Sequence, residues 1–260
     1  MNPRDLQELL QSVASGKVKV PAAIERLRAL PFEDLGFARV DHHRHLRRGV
    51  PEVVYGEGKT AAQCAAIVER IAKAGQPVLV TRASQEQYKA VRKKHPKAEW
   101  HEAARVICIR VAGAGPGGGA PDSGAPAEAD VLVLTAGTSD IPVAEEAALT
   151  AELFGTTVGR IYDVGVAGLH RLVGEMARLE AAKVLVVVAG MEGALPSVVA
   201  GMVGTPVIGV PTSIGYGASL GGLTALFGML TSCSGGLTVV NIDNGFGAGF
   251  AAALLARRMK

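Results

Sequence analysis

Apolar positions recur at helical spacing at the start of the chain, with Leu6, Leu9 and Leu10 on one face and Ile24, Leu27 and Leu30 on the next. Two short amphipathic helices are predicted over residues 1–30. From Phe37 the period shortens. FARVDHHRH and PEVVYGEG read as short strands, TAAQCAAIVERIAKAG as a helix ending at Gly75, and PVLVTR as a strand. SQEQYKAVRKKH then reads as a helix capped by Ser84, and ARVICIRV as a strand. This makes a small α/β unit with a helical lead-in. Residues 113–129 lose all periodicity in GAGPGGGAPDSGAPAEA and read as a linker.

Beyond the linker the pattern alternates five times. The predicted strands are ADVLVLTAG, TTVGRIYDV, KVLVVVAG, PVIGVPT and LTVVNID. The helices between and after them are DIPVAEEAALTAELFG, AGLHRLVGEMARLEA, LPSVVAGMVG, LGGLTALFGMLTS and GFGAGFAAALLARRM. Apolar strands alternating with helices predict a doubly wound parallel sheet in a flavodoxin-like three-layer arrangement, so the class is α/β. The expected domains are residues 1–112, a 113–129 linker and residues 130–260.

Ligands of such sheets bind at the carboxyl ends of the strands. This singles out Gly137, Thr138, Ser139 and Asp140, the stretch from Asp163 to His170, Gly190 through Gly193, Pro211 through Gly217, and Asn241 through Gly247. In AGTSD, a turn from strand to helix offers backbone N–H groups, two hydroxyls and a helix dipole to a phosphate. A plain N-cap by Ser139 or Asp140 explains the same residues. Asn241 and Asn244 suit either ligand contact or Asx turns. Glu192 is the only acidic or basic residue between Lys183 and Asp243, which suggests a buried, functional carboxylate or one paired with an arginine.

Charge divides the chain. Basic residues outnumber acidic ones 20 to 12 up to residue 112, and are outnumbered 7 to 12 after it. The basic residues are scattered apart from RKKHPK at 92–97, and only 11 aromatics are present, so a small anion is a better partner than nucleic acid. GEGKT at 56–60 ends like a phosphate loop, but Val53 stands where its earlier glycine belongs; Lys59 is left as an anion contact or an exposed helix-start lysine. GAGPGG at 113–118 fails the dinucleotide fingerprint because no helix can begin there. His43 and His45 would share a face of a strand and are weighed as a metal pair.

Three cysteines without a CxxC pair argue against disulfides and structural zinc, and MNPRDLQELL lacks an apolar export core, so a cytoplasmic location is expected. Cys64 and Cys108 fall inside element patterns. Cys233, in TSCSGG, falls in a small-residue loop and is either a reactive thiol or inert. Residues 193–242 carry no Asp, Glu, Lys, Arg or His, but their eleven glycines and three prolines exclude a membrane span. Helices without a polar face call for burial between subunits, so a homo-oligomer is expected.

These motifs carry two resemblances. AGTSD and VVVAGMEGALPSVVAGMVGTPVIGVP resemble the aminoimidazole ribonucleotide carboxylase (PurE) family, whose catalytic His would fall at Ala194 here. The whole chain is similar to the LarB family of pyridinium-3,5-biscarboxylic acid mononucleotide synthases, on DHHRHLRRGVPEVVYGEGKT, GRIYDVGVAGLHRL, GMEGALPSVVAG, GVPTSIGYG and TSCSGGLTVVNIDNGFGAG.

The LarB resemblance implies carboxylation of nicotinic acid adenine dinucleotide by CO2 with release of AMP, the first step towards the nickel-pincer nucleotide of lactate racemase. It also implies an octamer and a nucleophilic role for Cys233. Glu192 is the first candidate base, its pKa raised by an apolar surround, and His170 the second. Arg44, Arg47 and Lys59 are expected at the substrate's pyrophosphate and carboxylate. Mg²⁺ or another divalent cation is expected for phosphoanhydride cleavage, with Asp140, Asp163 and Asp243 as candidate ligands and no organic cofactor. A purine-type carboxylase or mutase and a non-catalytic dinucleotide-binding protein are the alternatives.

Overall fold

The computed structural model describes residues 3–27, 32–111 and 129–259. The chain divides into two compact units, one holding the elements up to the end of β6 and the other those from β7 onward. The predicted linker at 113–129 lies outside the described residues apart from Ala129.

The first unit opens with α1 (Pro3–Ala14) and α2 (Val20–Leu27), followed by a two-stranded antiparallel ribbon of β1 (Glu33–Asp34) and β2 (Arg39–Val40). The predicted strand over FARVDHHRH ends early. After Val40 the chain turns, and α3 (Arg44–Arg48) begins with His43 at its N-cap, so His43 and His45 do not share a strand face. Asp41 causes the turn, its Oδ1 accepting the His43 N–H at 3.1 Å.

Next come β3 (Val53–Tyr55), α4 (Ala61–Lys73), β4 (Val78–Thr81), α5 (Gln85–Lys94), β5 (Glu99–His101) and β6 (Val106–Ile109). They form a four-stranded mixed sheet of order β3-β4-β6-β5, with β3 parallel to β4 and β6 antiparallel to both of its neighbours. Thr60 and Ser84 start α4 and α5 with capping boxes closed by Gln63 and Gln87. Strand β5 has no counterpart in the predicted pattern. Its residues are half-exposed, and Trp100 is held by stacking on Tyr88 with ring centroids 5.6 Å apart.

The second unit runs β7 (Val131–Thr135), α6 (Ile141–Leu153), β8 (Val158–Ile161), α7 (Leu169–Val173), α8 (Met176–Ala181), β9 (Val184–Ala189), α9 (Ala194–Met202), β10 (Val207–Pro211), α10 (Leu223–Leu230), β11 (Leu237–Val239) and α11 (Gly245–Arg258). All five strands are parallel, in the order β11-β10-β9-β7-β8. The predicted doubly wound parallel sheet is therefore present. Strands β7, β9 and β10 are buried along their whole length, as apolar strands covered on both faces must be.

Two predicted helices are interrupted. The one over AGLHRLVGEMARLEA is a 3₁₀ turn at Val166–Gly168 followed by α7 and α8, which meet at Gly174. LGGLTALFGMLTS begins with a 3₁₀ stretch over Gly217–Gly222, where Leu220 and Gly221 take positive φ, and only then continues as α10.

Helices α6 and α11 approach closely through small residues. A Cβ at Gly249 would lie 2.2 Å from the Ala147 carbonyl oxygen, and one at Gly245 2.2 Å from that of Val143.

Candidate active site

Parallel pairing brings the loops after β7, β8, β9, β10 and β11 to one edge of the sheet, and the backbone is strained there. Asp163 after β8, Met191 after β9 and Asp243 after β11 all take positive φ, at 57°, 52° and 54°. Such conformations cost of order 1–3 kcal/mol each and persist where the surroundings over-determine them.

Asp140 is the centre of this edge. Its carboxylate is buried and accepts the Gly137 N–H at 3.0 Å on Oδ2 and the Thr212 hydroxyl at 2.7 Å on Oδ1, and the Gly190 N–H also donates to it. One side chain thus ties together the ends of β7, β9 and β10. Burial pushes its pKa up against the pull of these donors, and the charge of Asp243 acts in the same direction as burial.

Thr138 and Ser139 remain outside the core in the 3₁₀ turn that leads into α6, so their hydroxyls are presented outward at a helix start while Asp140 locks the turn from below. Gly137, Thr138 and Ser139 thus stand between the carboxyl end of β7 and the start of α6. The Asp140 carboxylate is occupied, and its part is to hold the turn.

Gly190 has no room for a side chain, since a Cβ there would meet the Ile214 carbonyl oxygen at 2.4 Å and the Thr212 Oγ1 at 2.7 Å. Glu192, two residues on, is exposed, and the apolar burial expected for it is absent within the chain. Helix α10 is pressed against its backbone: a Cβ at Gly228 would stand 2.6 Å from the Glu192 carbonyl oxygen. His170 is exposed on α7, beside Arg171, whose guanidinium pairs with Asp163 Oδ2 at 2.6 Å.

Asp243 accepts the Ser213 N–H at 2.8 Å, which fixes the loop after β10 to the loop after β11. Asn244 caps α11, its Oδ1 accepting the Gly247 N–H at 2.8 Å, and the Asn241 Oδ1 accepts the Ile242 N–H at 2.9 Å. The side-chain oxygens of both asparagines are thus directed to nearby backbone N–H groups.

The three aspartates do not form a metal cage. Asp140 is filled by internal donors and Asp163 is paired with Arg171. Among the described residues no group of three His, Cys, Asp or Glu side chains is placed to hold a metal ion.

Cys233 is exposed, whereas Cys64 and Cys108 are buried. Its loop is ordered by Ser234, whose hydroxyl donates to the Ser197 carbonyl at 2.8 Å and whose N–H donates to Ser232 Oγ at 3.2 Å. This loop leads into the amino end of β11, while the Gly137–Ser139 turn follows the carboxyl end of β7. In a parallel sheet these are opposite ends, about 16 Å apart along a five-residue strand. A single chain does not bring Cys233 to Ser139.

Beside Cys233 and before it runs an apolar surface. Tyr216 is 81% exposed, Leu220 67%, Phe227 58% and Leu230 60%. Single exposed apolar residues are ordinary, but a run of them on one uncharged helix and its lead-in marks an interaction face.

Arg44, Arg47 and Lys59 belong to the first unit. Arg47 is held by Asp41 at 2.6 Å, and Lys59 donates to the Tyr55 carbonyl at 2.7 Å. Arg44 is half-buried, with its Nε lacking a hydrogen-bond partner. Thr212 and Ser213 lie within the singled-out stretch from Pro211 to Gly217, and their individual roles arise from pairing across strands. Their position directly after β10 was the available signal.

Comparison with known proteins agrees with this division. Residues 32–111 match a LarB/PurE-like N-terminal domain and residues 130–260 match AIR carboxylase. An uncharacterized protein of Methanocaldococcus jannaschii, MJ0165, is 39% identical over 98% of both chains. N5-carboxyaminoimidazole ribonucleotide mutases match the C-terminal region: that of M. jannaschii is 34% identical over 44% of this chain and 71% of its own length, and that of Thermotoga maritima 34% identical over 47% and 72%. The crystal structure of Treponema denticola PurE covers 50% of this chain and 78% of its own, at 25% identity and a TM-score of 0.37.

Proposed function

The chain belongs to the LarB family of LarB/PurE-like carboxylases, and we propose that it carboxylates the pyridinium ring of nicotinic acid adenine dinucleotide with CO2 and cleaves the phosphoanhydride. The products are pyridinium-3,5-biscarboxylic acid mononucleotide and AMP. The observation that carries this reading is the accessible Cys233 thiol in a loop that the family match includes; the PurE resemblance, which sets that family's catalytic histidine at Ala194, speaks against the purine reaction.

A pyridinium ring is electrophilic and cannot attack CO2. Addition of the Cys233 thiolate to the carbon para to the ring nitrogen moves an electron pair onto that nitrogen and gives a dihydropyridine whose carbon 5 is an enamine terminus. Carbon 5 attacks CO2 and forms the new carbon–carbon bond. A base removes the carbon 5 proton, and expulsion of the thiolate restores the aromatic ring. Water then cleaves the phosphoanhydride.

Glu192 is the proposed base and His170 the second candidate. Glu192 lies on the loop after β9 with Met191 and is open to a ligand. The Gly137–Ser139 turn is the proposed seat of one substrate phosphate. Arg44, Arg47 and Lys59 are the proposed counter-charges on the first unit.

Because one chain separates Cys233 from the turn, the proposed enzyme is a homo-oligomer, an octamer by family resemblance, in which a neighbouring copy brings its cysteine loop to the turn. The exposure of Tyr216, Phe227 and Leu230 in the single chain supports that reading. Burial of Glu192 in the same interface would supply the apolar surround missing in one chain.

Mixing the protein with nicotinic acid adenine dinucleotide in the absence of CO2 tests the first step. The expected result is a dihydropyridine absorbance that is lost in Cys233→Ala. The same absorbance in the variant, or none in the wild type, would overturn the covalent mechanism.

A further inference from the structure

The first unit has its own converging edge, built without any residue of the Gly137–Ser139 turn. Strands β3 and β4 are parallel, so the loops after them, 56–60 and 82–84, lie at the same end of that sheet. β6 is antiparallel to β4, and Arg105, which precedes β6, therefore lies at that end too. The backbone joins the three: the Gly56 N–H donates to the Thr81 carbonyl at 2.8 Å and the Ala83 N–H to the Arg105 carbonyl at 2.7 Å.

Gln87 is the staple beneath them. It is 4% exposed, and its Nε2 donates to the carbonyls of Gly56 at 2.7 Å and Lys59 at 2.8 Å, while its Oε1 accepts the Ser84 N–H at 2.9 Å. Gly56 has no space for a side chain, since a Cβ would meet Gln87 Oε1 at 2.9 Å and the Thr81 carbonyl oxygen at 3.0 Å.

Charged side chains gather on this platform. Arg82 Nη1 lies 3.8 Å from Glu57 Oε2, the charge of Arg105 also acts on Glu57, and Lys59 Nζ lies 5.9 Å from the Tyr55 ring centroid. The Tyr55 hydroxyl donates to the same Glu57 oxygen. Two guanidinium groups thus act on one exposed carboxylate, and Lys59 stands on the adjoining 56–60 loop with its Nζ donating to the Tyr55 carbonyl.

The backbone adds a second observation. Arg82 and Arg105 both sit at positive φ, 48° and 53°, where glycine would be relaxed and a β-carbon is strained. A strained side chain at two neighbouring positions of one cluster points to a use for the two guanidinium groups.

We propose that Lys59, Arg82 and Arg105 form an anion site on the first unit that takes a phosphate-bearing small molecule, with Glu57 swinging aside as the ligand replaces it. Arginine suits this because its fork matches phosphate oxygens in pairs. Only the choice of a phosphate ligand rests on the dinucleotide reading. Arg47, paired with Asp41, is not part of this cluster.

Arginine-selective modification of the full-length protein, followed by peptide mass spectrometry, tests the site. Inorganic pyrophosphate or AMP should slow labelling of Arg82 and Arg105 at least tenfold and leave Arg92 unaffected. Protection by pyrophosphate alone would assign the site to a phosphoanhydride, and protection by AMP a phosphomonoester. Protection by neither would overturn it.

The double variant Arg82→Gly/Arg105→Gly provides the control for folding. It should melt no lower than the wild type, because glycine relieves both positive φ angles, yet bind the protecting ligand at least tenfold more weakly. Unchanged affinity would overturn the proposal, and because neither measurement involves turnover, its failure would leave the carboxylation reading intact.

Discussion

Asp140 shows how one side chain organises the candidate site. Its carboxylate has three internal donors, and Asn in its place would turn an amide NH2 towards at least one of them. Asp140→Asn should cost about 1–3 kcal/mol of stability, the usual penalty for leaving a buried polar group unsatisfied, measured by urea unfolding. The pH dependence has a definite sign. Burial holds the folded pKa above the unfolded value of 3.8, so the fold binds this proton more tightly. The contribution is fully present below 3.8 and is lost as pH rises through the folded pKa. The variant should lack that decline, and a wild-type-like slope would contradict the assignment.

Cysteine chemistry separates just as clearly. Burial pushes the Cys64 thiol up to about 11, and Cys108 is fully buried, whereas Cys233 is exposed. One thiol should alkylate rapidly in the native protein and all three after denaturation. Rapid native labelling of Cys64 would show that its helix opens. The sequence pattern already separated Cys233 from the other two. It could not show that Glu192 is exposed in the single chain, since a lone carboxylate in an uncharged stretch looks buried until the packing is known.

Among the elements, strand β8 depends on an ion network. Arg160 contacts Glu145 and Glu152, each at 2.8 Å, and all three side chains are largely buried. Arg160→Met leaves two carboxylates uncompensated and should cost about 3–5 kcal/mol; a loss below about 1 kcal/mol, the range of exposed pairs, would show the pair to be solvated. Gly249→Ala drives a Cβ into the Ala147 carbonyl at 2.2 Å and should cost about 1–3 kcal/mol by overpacking. Thermal unfolding checks both.

The five strand–helix repeats were legible because apolar strands and intervening helices have distinct periods. The breaks at Gly174 and at Leu220–Gly221 were not, because glycine inside an apolar run is compatible with continuing the helix. α3 escaped notice because HHRHLRR has no apolar face, and its start depends on the Asp41 turn.

At the level of the whole molecule, an apolar face and a divided site point to the same consequence. Residues 193–242 carry no Asp, Glu, Lys, Arg or His, and α10 exposes Phe227 and Leu230, so a lone chain leaves surface that an assembly would cover. Phe227→Asp should convert the proposed homo-oligomer to smaller species in light scattering and abolish activity while Cys233 remains intact. A monomeric wild type that turns over would contradict the shared site. No helix among the described residues is long and apolar enough to cross a membrane.

The central claim is tested most directly by incubating the purified protein with nicotinic acid adenine dinucleotide and heavy-carbon bicarbonate, with and without Mg²⁺, beside Cys233→Ala, and following products by mass spectrometry. The account predicts biscarboxylated mononucleotide carrying the heavy carbon, together with AMP, from the wild type and neither from the variant. Unlabelled substrate recovered intact from both proteins would contradict it.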